Sequence, residues 1–320
     1  MFGTNHPHGR DLHGEGDFPP QKAKTRREMF SGLPPKLLAG EHLEHFEIEG
    51  EVAHGSAATI FAAKDGVAGR RVALKVLAPH LLEVPEALLR FEAEWQLARR
   101  LSHPGIIPVY TWGRDARHAY YAMRLEAPQT ALDLDTQIDP LHARDAYARL
   151  ALLYAGVARA VAALHDENIV HRDLKPQNLV LSADSQLLLC DFGSALDANH
   201  RDPRLEDCLW GTVDYMSPEQ FRPEADPYDA RSDIYALGVC LFEAATGISP
   251  FPVCKESELV RWKLSRQPPS PRRVNPTLPL AFDALIRRAM DPDVHLRFQS
   301  ARELARDLER LATRKRGCRR

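Results

Sequence analysis

The stretch that decides the fold is residues 171–193, HRDLKPQNLVLSADSQLLLCDFG. Two polar loops, HRDLKPQN at residues 171–178 and DFG at residues 191–193, flank an apolar segment. That segment holds two short apolar runs, residues 179–181 and 187–190, on either side of a polar turn. Short apolar runs around a turn predict a small β-hairpin. A hairpin would fold the two polar loops back beside each other.

Four side chains of these loops carry the chemistry. Carboxylate and amide oxygens are the hard ligands that suit Mg²⁺, and a further carboxylate can orient a hydroxyl group. A lysine can offset the negative charge that develops on a moving phosphoryl group. The predicted hairpin places groups of all these kinds around one small volume, which is what phosphoryl transfer requires. The four residues are Asp173, Lys175, Asn178 and Asp191.

A second long match lies downstream, GTVDYMSPEQ at residues 211–220. The two polar loops resemble the catalytic loop, H-R-D-L-x-x-x-N, and the metal-binding loop, D-F-G, of the protein kinases. Lys175, two residues after the aspartate, gives the serine/threonine form of the catalytic loop. With residues 211–220 included, the chain resembles the eukaryotic-like serine/threonine kinases of bacteria. A lone DFG would carry no weight, whereas long matches in the same order and at the right separation are specific.

The resemblance implies an α+β, two-lobed protein kinase fold, with a small β-rich lobe and a larger, mainly helical lobe. We therefore predict a kinase domain at residues 41–312, with the N-lobe at 41–125 and the C-lobe at 126–312. Residues 1–40 are rich in Gly, Pro, His and charge, which predicts a flexible extension. Residues 313–320 form a basic tail. A solvated tail is the favoured interpretation, and weak contact with an anionic surface is the alternative.

The resemblance also implies a role for each polar group of the cleft. Asp173 would orient the substrate hydroxyl and take its proton. Lys175 would steady the transferred phosphoryl group, while Asn178 and Asp191 would hold Mg²⁺. Thr212 matches the family threonine that contacts Asp173 and Lys175.

The phosphate-binding loop is expected near the N-terminus, just before a β-branched strand. Only the middle glycine of the family pattern G-x-G-x-x-G-x-V is kept, as Gly55, while Ala53 and Ala58 fill the outer positions. Backbone N–H groups bind the phosphates, so alanine leaves the loop usable but stiffer, with φ below zero. Glycine at both positions is therefore expected to leave activity intact. The residues assigned to this loop are Val52, Ala53, His54, Gly55, Ser56, Ala57, Ala58, Thr59 and Ile60.

An ion pair is predicted behind this loop. Lys75 lies in RVALKVL, an alternating strand with apolar residues on both sides, so it should emerge from a buried sheet into the cleft. Glu94 lies close to the apolar face of a helix predicted at residues 85–101, where a lone carboxylate would be costly. The resemblance pairs it with Lys75, the partner of the α- and β-phosphates, whereas Glu92 fits a surface position. Lys75→Met and Asp191→Asn are expected to abolish transfer and spare the fold, because both groups would face solvent.

The adenine pocket is expected at the junction of the lobes. A strand at residues 120–123 ends at Met123, the gatekeeper position, and the hinge follows at residues 124–127. By resemblance, Ala73, Leu125 and Val180 would also contact the nucleotide. In the family, acidic residues that favour basic peptides often stand where Thr130 and Gln177 stand here, so we predict no basic consensus.

The large lobe is predicted to support the catalytic loop from below. Helices are expected at residues 147–165, 233–246 and 300–311, the second of them apolar almost all round and therefore buried. Asp233 would brace the backbone of the catalytic loop. Arg297 would form a buried ion pair with Glu219.

Bulk composition argues against several classes of partner and location. The chain has 320 residues and a net charge of −2, which argues against a general nucleic-acid binder. Its five cysteines form no C-x-x-C pair, as expected for reduced thiols of a cytoplasmic protein. No uninterrupted apolar run approaches the roughly 18 residues of a membrane span, so no transmembrane segment is expected.

The activation segment lacks the usual phosphorylation site. Between Gly193 and Ser217 the aliphatic hydroxyls are Ser194 and Thr212 only. We hypothesise that an acidic neighbour pair, Glu206 and Asp207, supplies a carboxylate to Arg172 and orders the segment without phosphate. The alternative is that these acids are solvated and a partner orders the segment.

Taken with the resemblance, the sequence predicts an ATP- and Mg²⁺-dependent protein serine/threonine kinase that phosphorylates Ser or Thr of protein substrates, in signalling. One alternative is a pseudokinase scaffold, suggested by the degenerate glycine-rich loop. Charged catalytic positions that are all filled argue against it. Another alternative is a small-molecule kinase, but those kinases usually lack the DLKP and GT…SPE motifs found here.

Overall fold

The computed structural model describes residues 37–127, 129–131, 143–206, 211–222, 224–252 and 254–313, apart from the side chains of residues 143, 144, 205 and 206. Most of the predicted extension and nearly all of the basic tail lie outside these residues. The predicted domain limits therefore remain predictions.

A six-stranded antiparallel sheet forms the small lobe, in the order β1-β2-β3-β4-β6-β5. Alternate side chains of a strand point to opposite faces of its sheet, and β4 is buried on both: Leu74 packs with Phe46 on one face, Ala73 with Phe91 on the other. The six strands are β1 (His42–Leu43), β2 (Phe46–His54), β3 (Ala58–Asp65), β4 (Arg70–Leu77), β5 (Val109–Arg114) and β6 (Ala119–Arg124).

One long helix, α1 (Pro85–Ala98), packs on the second of these faces. Pro85 occupies its first turn, where the missing N–H removes no helical hydrogen bond. The helix ends at Ala98 rather than at residue 101, so the predicted end was three residues too late. Its buried residues include Phe91 and Glu94, which places a carboxylate on the apolar face as predicted.

The large lobe is mainly helical, which confirms the predicted two-lobed α+β architecture. Two helices form its centre, α2 (Ala143–Asp166) and α4 (Arg231–Thr246), and α4 is buried over nearly its whole length. It ends at Thr246 and is capped by Gly247, whose φ of 78° suits glycine. The other helices are α3 (Pro203–Glu206), α5 (Glu256–Ser265), α6 (Pro271–Val274), α7 (Leu280–Ala289) and α8 (Ala301–Thr313).

The helix α2 is also long and apolar enough to cross a membrane, over Asp145–Asp166. In the structure 67% of its most apolar window is buried inside the protein. It packs against α8 and carries core residues such as Tyr154 and Val161. Burial of this kind is what a core helix of the large lobe requires.

Short strands of the large lobe hold the two polar loops together. The hairpin predicted from the sequence is present as β8 (Leu179–Leu181) and β9 (Leu187–Leu189). A second pair joins β7 (Ile169–Val170), just before the catalytic loop, to β10 (Leu196–Asp197), just after DFG. Both pairs are antiparallel, so the two loops lie side by side.

Candidate active site

The catalytic loop forms one connected set of hydrogen bonds. The ammonium of Lys175 lies 2.6 Å from Asp173 Oδ2 and 2.9 Å from Thr212 Oγ1. Thr212 donates to Asp173 Oδ1 from its backbone N–H at 2.9 Å and from its hydroxyl at 3.0 Å. Asn178 Nδ2 donates to the backbone oxygen of Asp173 at 2.8 Å. The four residues predicted to be catalytic are therefore brought together.

Asp191 begins the second polar loop, and its carboxylate accepts a hydrogen bond from Lys75 of the small lobe. Its backbone adopts a φ of 63°, a left-handed conformation that is uncommon outside glycine. Burial acts to raise the pKa of its carboxyl group, but the ammonium of Lys75, 3.1 Å away, and the backbone N–H of Gly193 together lower the pKa. The carboxylate is thus charged at neutral pH, and 42% of its side chain is exposed.

The donor set of this site suits Mg²⁺. The ion commonly takes one or two carboxylates and completes its octahedron with water and substrate phosphates. Asp191 offers a partly exposed carboxylate. The amide nitrogen of Asn178 donates to Asp173, at the backbone oxygen and at Oδ2. Its amide oxygen is therefore the atom that can bind a cation. Within the part of the chain described, no cluster of three or more His, Cys, Asp and Glu side chains offers a dedicated metal cage.

The predicted ion pair between Lys75 and Glu94 is present, with Nζ 2.6 Å from Oε1. The same carboxylate oxygen accepts a hydrogen bond of 2.8 Å from the hydroxyl of Tyr121. Lys75 is only 8% exposed, so the expectation that it faces solvent was wrong. The sheet explains its burial, because Lys75 pairs across β4 and β6 with Tyr121 and is covered by the ring.

The pKa values of Lys75 and Glu94 depend on each other and on the charge of Asp191. Burial alone would lower the pKa of Lys75, but Asp191 and Glu94 raise it well above its ordinary value. Burial raises the pKa of Glu94 despite the opposing effect of Lys75. Glu94 therefore relies on both of its donors. Tyr121 had no motif to mark it, although the alternation of β6 places it on the same face as Met123.

The predicted phosphate loop is the turn between β2 and β3. Gly55 donates its N–H to the oxygen of Ala58 at 2.9 Å, which closes the turn. Neither Ala53, Gly55 nor Ala58 has a positive φ, as the presence of alanine required. Ala53 is exposed, whereas Ala58 is 8% exposed and packs in the core of the sheet. The two alanines thus have different surroundings, and the methyl group of Ala58 does not simply crowd the phosphates.

The other residues assigned to this loop differ in exposure. His54 Nδ1 and Thr59 Oγ1 lie 3.0 Å apart across the turn. Thr59 is 9% exposed. The residues that remain exposed or half-buried are Val52, Ser56, Ala57 and Ile60.

The predicted adenine contacts share one apolar cluster at the junction of the lobes. Ala73 and Met123 are buried there, and Leu125 and Val180 pack against it partly exposed. The backbone of Thr130 forms an isolated antiparallel β-bridge with that of Val180. Leu188 of the hairpin also belongs to this cluster and was missed, because a leucine in an apolar run carries no signal of its own. The predicted hinge, residues 124–127, is described in full, and the next residue, 128, lies outside the described residues.

Asp233 braces the catalytic loop as predicted. Its carboxylate accepts the backbone N–H groups of His171 and Arg172, each at 2.9 Å. It also lies 2.9 Å from Nε2 of His165, at the end of α2. Burial would raise the pKa of Asp233, but the contact with His165 and the backbone donors lower it. His165 was seen in the sequence only as the end of a helix.

The second predicted ion pair is bidentate. Arg297 Nη1 and Nη2 lie 2.6 Å and 2.7 Å from the two carboxylate oxygens of Glu219. The arginine side chain is fully buried, while 14% of the Glu219 side chain is exposed. The prediction that both charges are buried therefore holds for Arg297 and only partly for Glu219.

The activation segment is described up to residue 206 and again from residue 211. The side chain of Glu206 and all of Asp207 lie outside the described residues, so their pairing with Arg172 stays a hypothesis. Gly211 begins the next part with a φ of 134°, and a Cβ there would lie 2.9 Å from the backbone oxygen of Arg172. Glycine is thus required where the segment returns to the catalytic loop.

These features define a two-lobed phosphotransferase site of the protein kinase class. The protein kinase domain model matches residues 46–307, and the chain belongs to the protein kinase family.

Similar proteins are serine/threonine-protein kinases of bacteria. The chain is 30% identical over 274 residues to the serine/threonine-protein kinase PrkC of Bacillus subtilis, with 85% of this chain and 41% of PrkC covered. It is 31% identical over 281 residues to the serine/threonine-protein kinase PknL of Mycobacterium tuberculosis, with 88% and 68% covered. It is 33% identical over 276 residues to the DNA damage-responsive serine/threonine-protein kinase RqkA of Deinococcus radiodurans, with 85% and 40% covered. The chain thus spans about two fifths of PrkC and RqkA, and the predicted serine/threonine kinase class is confirmed.

Proposed function

We propose that this protein transfers the γ-phosphoryl group of ATP to serine and threonine hydroxyls of protein substrates. The observation that carries the proposal is the joined geometry of the cleft. Asp173, Lys175 and Thr212 form one hydrogen-bonded group, and Lys75 links Glu94 to Asp191. The parts that phosphoryl transfer needs are therefore assembled within one chain.

Asp173 would accept a hydrogen bond from the incoming hydroxyl and take its proton as the new O–P bond forms and the bond from the γ-phosphorus to the bridging oxygen breaks, so that ADP leaves. Lys175, already 2.6 Å from Asp173, would follow the transferred group and offset its charge. Lys75 would position the α- and β-phosphates while Glu94 and Tyr121 hold it in place. Mg²⁺ held by Asp191 and Asn178 would neutralise the phosphate oxygens. Catalysis of this kind is mostly positioning and charge stabilisation.

The proposal extends to the setting of the reaction. Protein substrates carrying Ser or Thr, a role in signalling and a cytoplasmic location are all part of it. The named relatives support the protein substrate, and the free thiols of Cys190, Cys240 and Cys254 support a reducing compartment. The pseudokinase alternative has no such support, because the charged positions of the cleft are filled and mutually bonded.

The test is phosphorylation of a peptide array by the wild-type protein beside Asp173→Asn, with labelled ATP. We expect transfer to Ser and Thr peptides by the wild type and a loss of at least about 100-fold in the variant. The control is Mg-ATP binding, which Asp173→Asn should retain. Binding without transfer by the wild type would instead favour a scaffold, and label on small-molecule acceptors rather than on peptides would favour a small-molecule kinase.

A further inference from the structure

Lys263 is a buried lysine of the large lobe that phosphoryl transfer does not use. It lies on α5 and is 1% exposed, which is rare for lysine. Its ammonium donates to three backbone oxygens, those of Val213 at 2.8 Å, Asp214 at 2.6 Å and Met216 at 2.8 Å. An ammonium group carries three protons, so each proton has its own carbonyl acceptor.

The three acceptors belong to one short turn, residues 212–216, which we call the clamped turn. The N–H groups of Tyr215 and Met216 donate to the oxygen of Thr212 at 2.9 Å and 3.2 Å, which makes the turn compact. Thr212 at its first position donates to the carboxylate of Asp173. One end of the clamped turn is therefore fixed on the proposed base, and its carbonyl groups are fixed on Lys263.

The clamped turn also borders the approach to Asp173. Gly211 and Asp214 are exposed and Val213 is half-buried, while 12% of the Asp173 side chain is accessible. A polypeptide that brings a hydroxyl group to Asp173 would come close to these residues, because Thr212 of the same turn is bonded directly to the Asp173 carboxylate. A nucleotide bound beside Lys75 does not, because Lys75 contacts α1 and the DFG loop instead.

We infer that Lys263 is a positioning residue for the protein substrate: by holding the clamped turn through three hydrogen bonds, it sets the affinity for the polypeptide around the accepting hydroxyl and leaves ATP affinity unchanged. This inference rests on the proposed function.

The geometry depends on the protonation of Lys263. A neutral amine has two protons and a lone pair, so one of the three carbonyl groups would face a lone pair and lose its donor. Burial lowers the pKa of Lys263 to about 7, against the opposing effect of the carboxylates of Asp214 and Glu243. The hydrogen bonds from Lys263 to the clamped turn should therefore weaken as pH rises through neutrality.

The neighbours of the ammonium are identified on each side. Phe251 lies beneath it at 4.1 Å and Tyr235 of α4 at 5.5 Å, measured to the ring centroids. Glu243 of α4 accepts the hydroxyl of Tyr215 at 2.8 Å. Burial raises the pKa of both phenols and of Glu243, so Tyr215 and Tyr235 keep their protons near neutrality.

The experiment measures steady-state kinetics of the full chain from pH 6 to 8.5, with a blocked substrate peptide that lacks His and Cys. The variants are Lys263→Met and Lys263→Arg. The matched control is Lys255→Met, which changes an exposed lysine just before α5. At pH 6.5 we expect Lys263→Met to raise the peptide KM at least about fivefold and the ATP KM less than about twofold. A merely structural defect would lower the active fraction and leave both KM values unchanged.

The pH profile separates the variants further. The peptide KM of the wild type and of Lys255→Met should rise above about pH 7, whereas that of Lys263→Arg should stay level because arginine remains charged. An unchanged peptide KM in folded Lys263→Met, or the same rise in Lys263→Arg as in the wild type, overturns the inference. If Lys263→Met does not fold, as judged by Mg-ATP binding, the Lys263→Arg profile decides. Absence of peptide transfer by the wild type would refute the proposed function and this inference together, whereas transfer with unaltered KM values refutes only the role of Lys263.

Discussion

Tyr121 and Lys75 donate to the same oxygen of Glu94, the phenol at 2.8 Å and the ammonium at 2.6 Å. The phenol ring also packs on Phe91, with ring centroids 5.3 Å apart. Strand β6 and helix α1 are thus joined at the carboxylate that orients Lys75. A displacement of α1 away from β4 and β6 would break this shared contact.

Tyr121→Phe should weaken Mg-ATP binding by about threefold to tenfold, since one hydrogen bond to a charged acceptor is lost while the ring packing stays. Titration calorimetry with Mg-ATP measures the effect. Tyr110→Phe is the matched control, because Tyr110 packs in the cluster on the other face of the sheet. Equal ATP affinity of Tyr121→Phe and wild type would show that Lys75 alone fixes Glu94.

Lys75→Met and Asp191→Asn should both lose at least about 100-fold in activity but differ in stability. Removing Lys75 leaves the buried Glu94 carboxylate without its cation but still bonded to the Tyr121 hydroxyl, which should cost about 1–3 kcal/mol of unfolding free energy. Asp191 is partly exposed, so its change should stay within about 1 kcal/mol. Urea denaturation gives both values.

A third variant tests the reason for this difference. Lys75→Met combined with Glu94→Leu removes the unpaired carboxylate, so stability should return without activity. Wild-type turnover in either single variant would contradict the proposed function itself.

Arg297→Ala should lower the unfolding free energy by about 3–5 kcal/mol, because a buried pair loses one partner. Glu219→Ala should cost less, since Arg297 keeps its bonds to the backbone oxygens of Asp291 and Arg231. Arg302→Ala is the matched control: its pair with Asp166 is more than half exposed on both sides and should contribute less than about 1 kcal/mol. Similar losses for Arg297→Ala and Arg302→Ala would contradict the importance of burial.

Ala58→Gly should destabilise the protein by about 1 kcal/mol, because it removes a buried methyl group and adds chain entropy to a strand. Ala53→Gly, at an exposed position, should change stability by no more than about 0.5–1 kcal/mol. Neither substitution should reduce saturating activity. Thermal denaturation and ATP titration of the two single variants measure this, and a marked loss of ATP affinity in Ala53→Gly would mean that the loop is built around alanine.

The contacts that could be predicted from sequence are those marked by a motif or a register. Lys75 and Glu94 were paired by resemblance, which agrees with the need of a carboxylate on an apolar helix face for a cation, and Asp233 was also placed by resemblance. Tyr121 and Lys263 carried no such mark: their partners lie 27 and 47–50 residues away. Only the folded distances show that a tyrosine in a strand and a lysine in a helix are polar anchors.

The burial of Lys75 was missed for a related reason. Its strand showed apolar neighbours on both sides, which indicates a buried sheet, but the cover over its ammonium comes from the ring of Tyr121 and from α1. Sequence periodicity describes one strand at a time. It cannot report how much of a side chain a neighbouring strand will hide.

The bond between Asp233 and the catalytic loop has a consequence for local opening. Arg172 holds a φ of 68°, a conformation that costs about 1–3 kcal/mol for such a residue and persists only when its surroundings impose it. Its N–H and that of His171 donate to the carboxylate of Asp233, which lies in the first turn of α4. In hydrogen exchange these two amides should therefore behave as members of the α4 cooperative unit rather than as loop amides. The catalytic loop is thus anchored to the first turn of the most deeply buried helix of the large lobe.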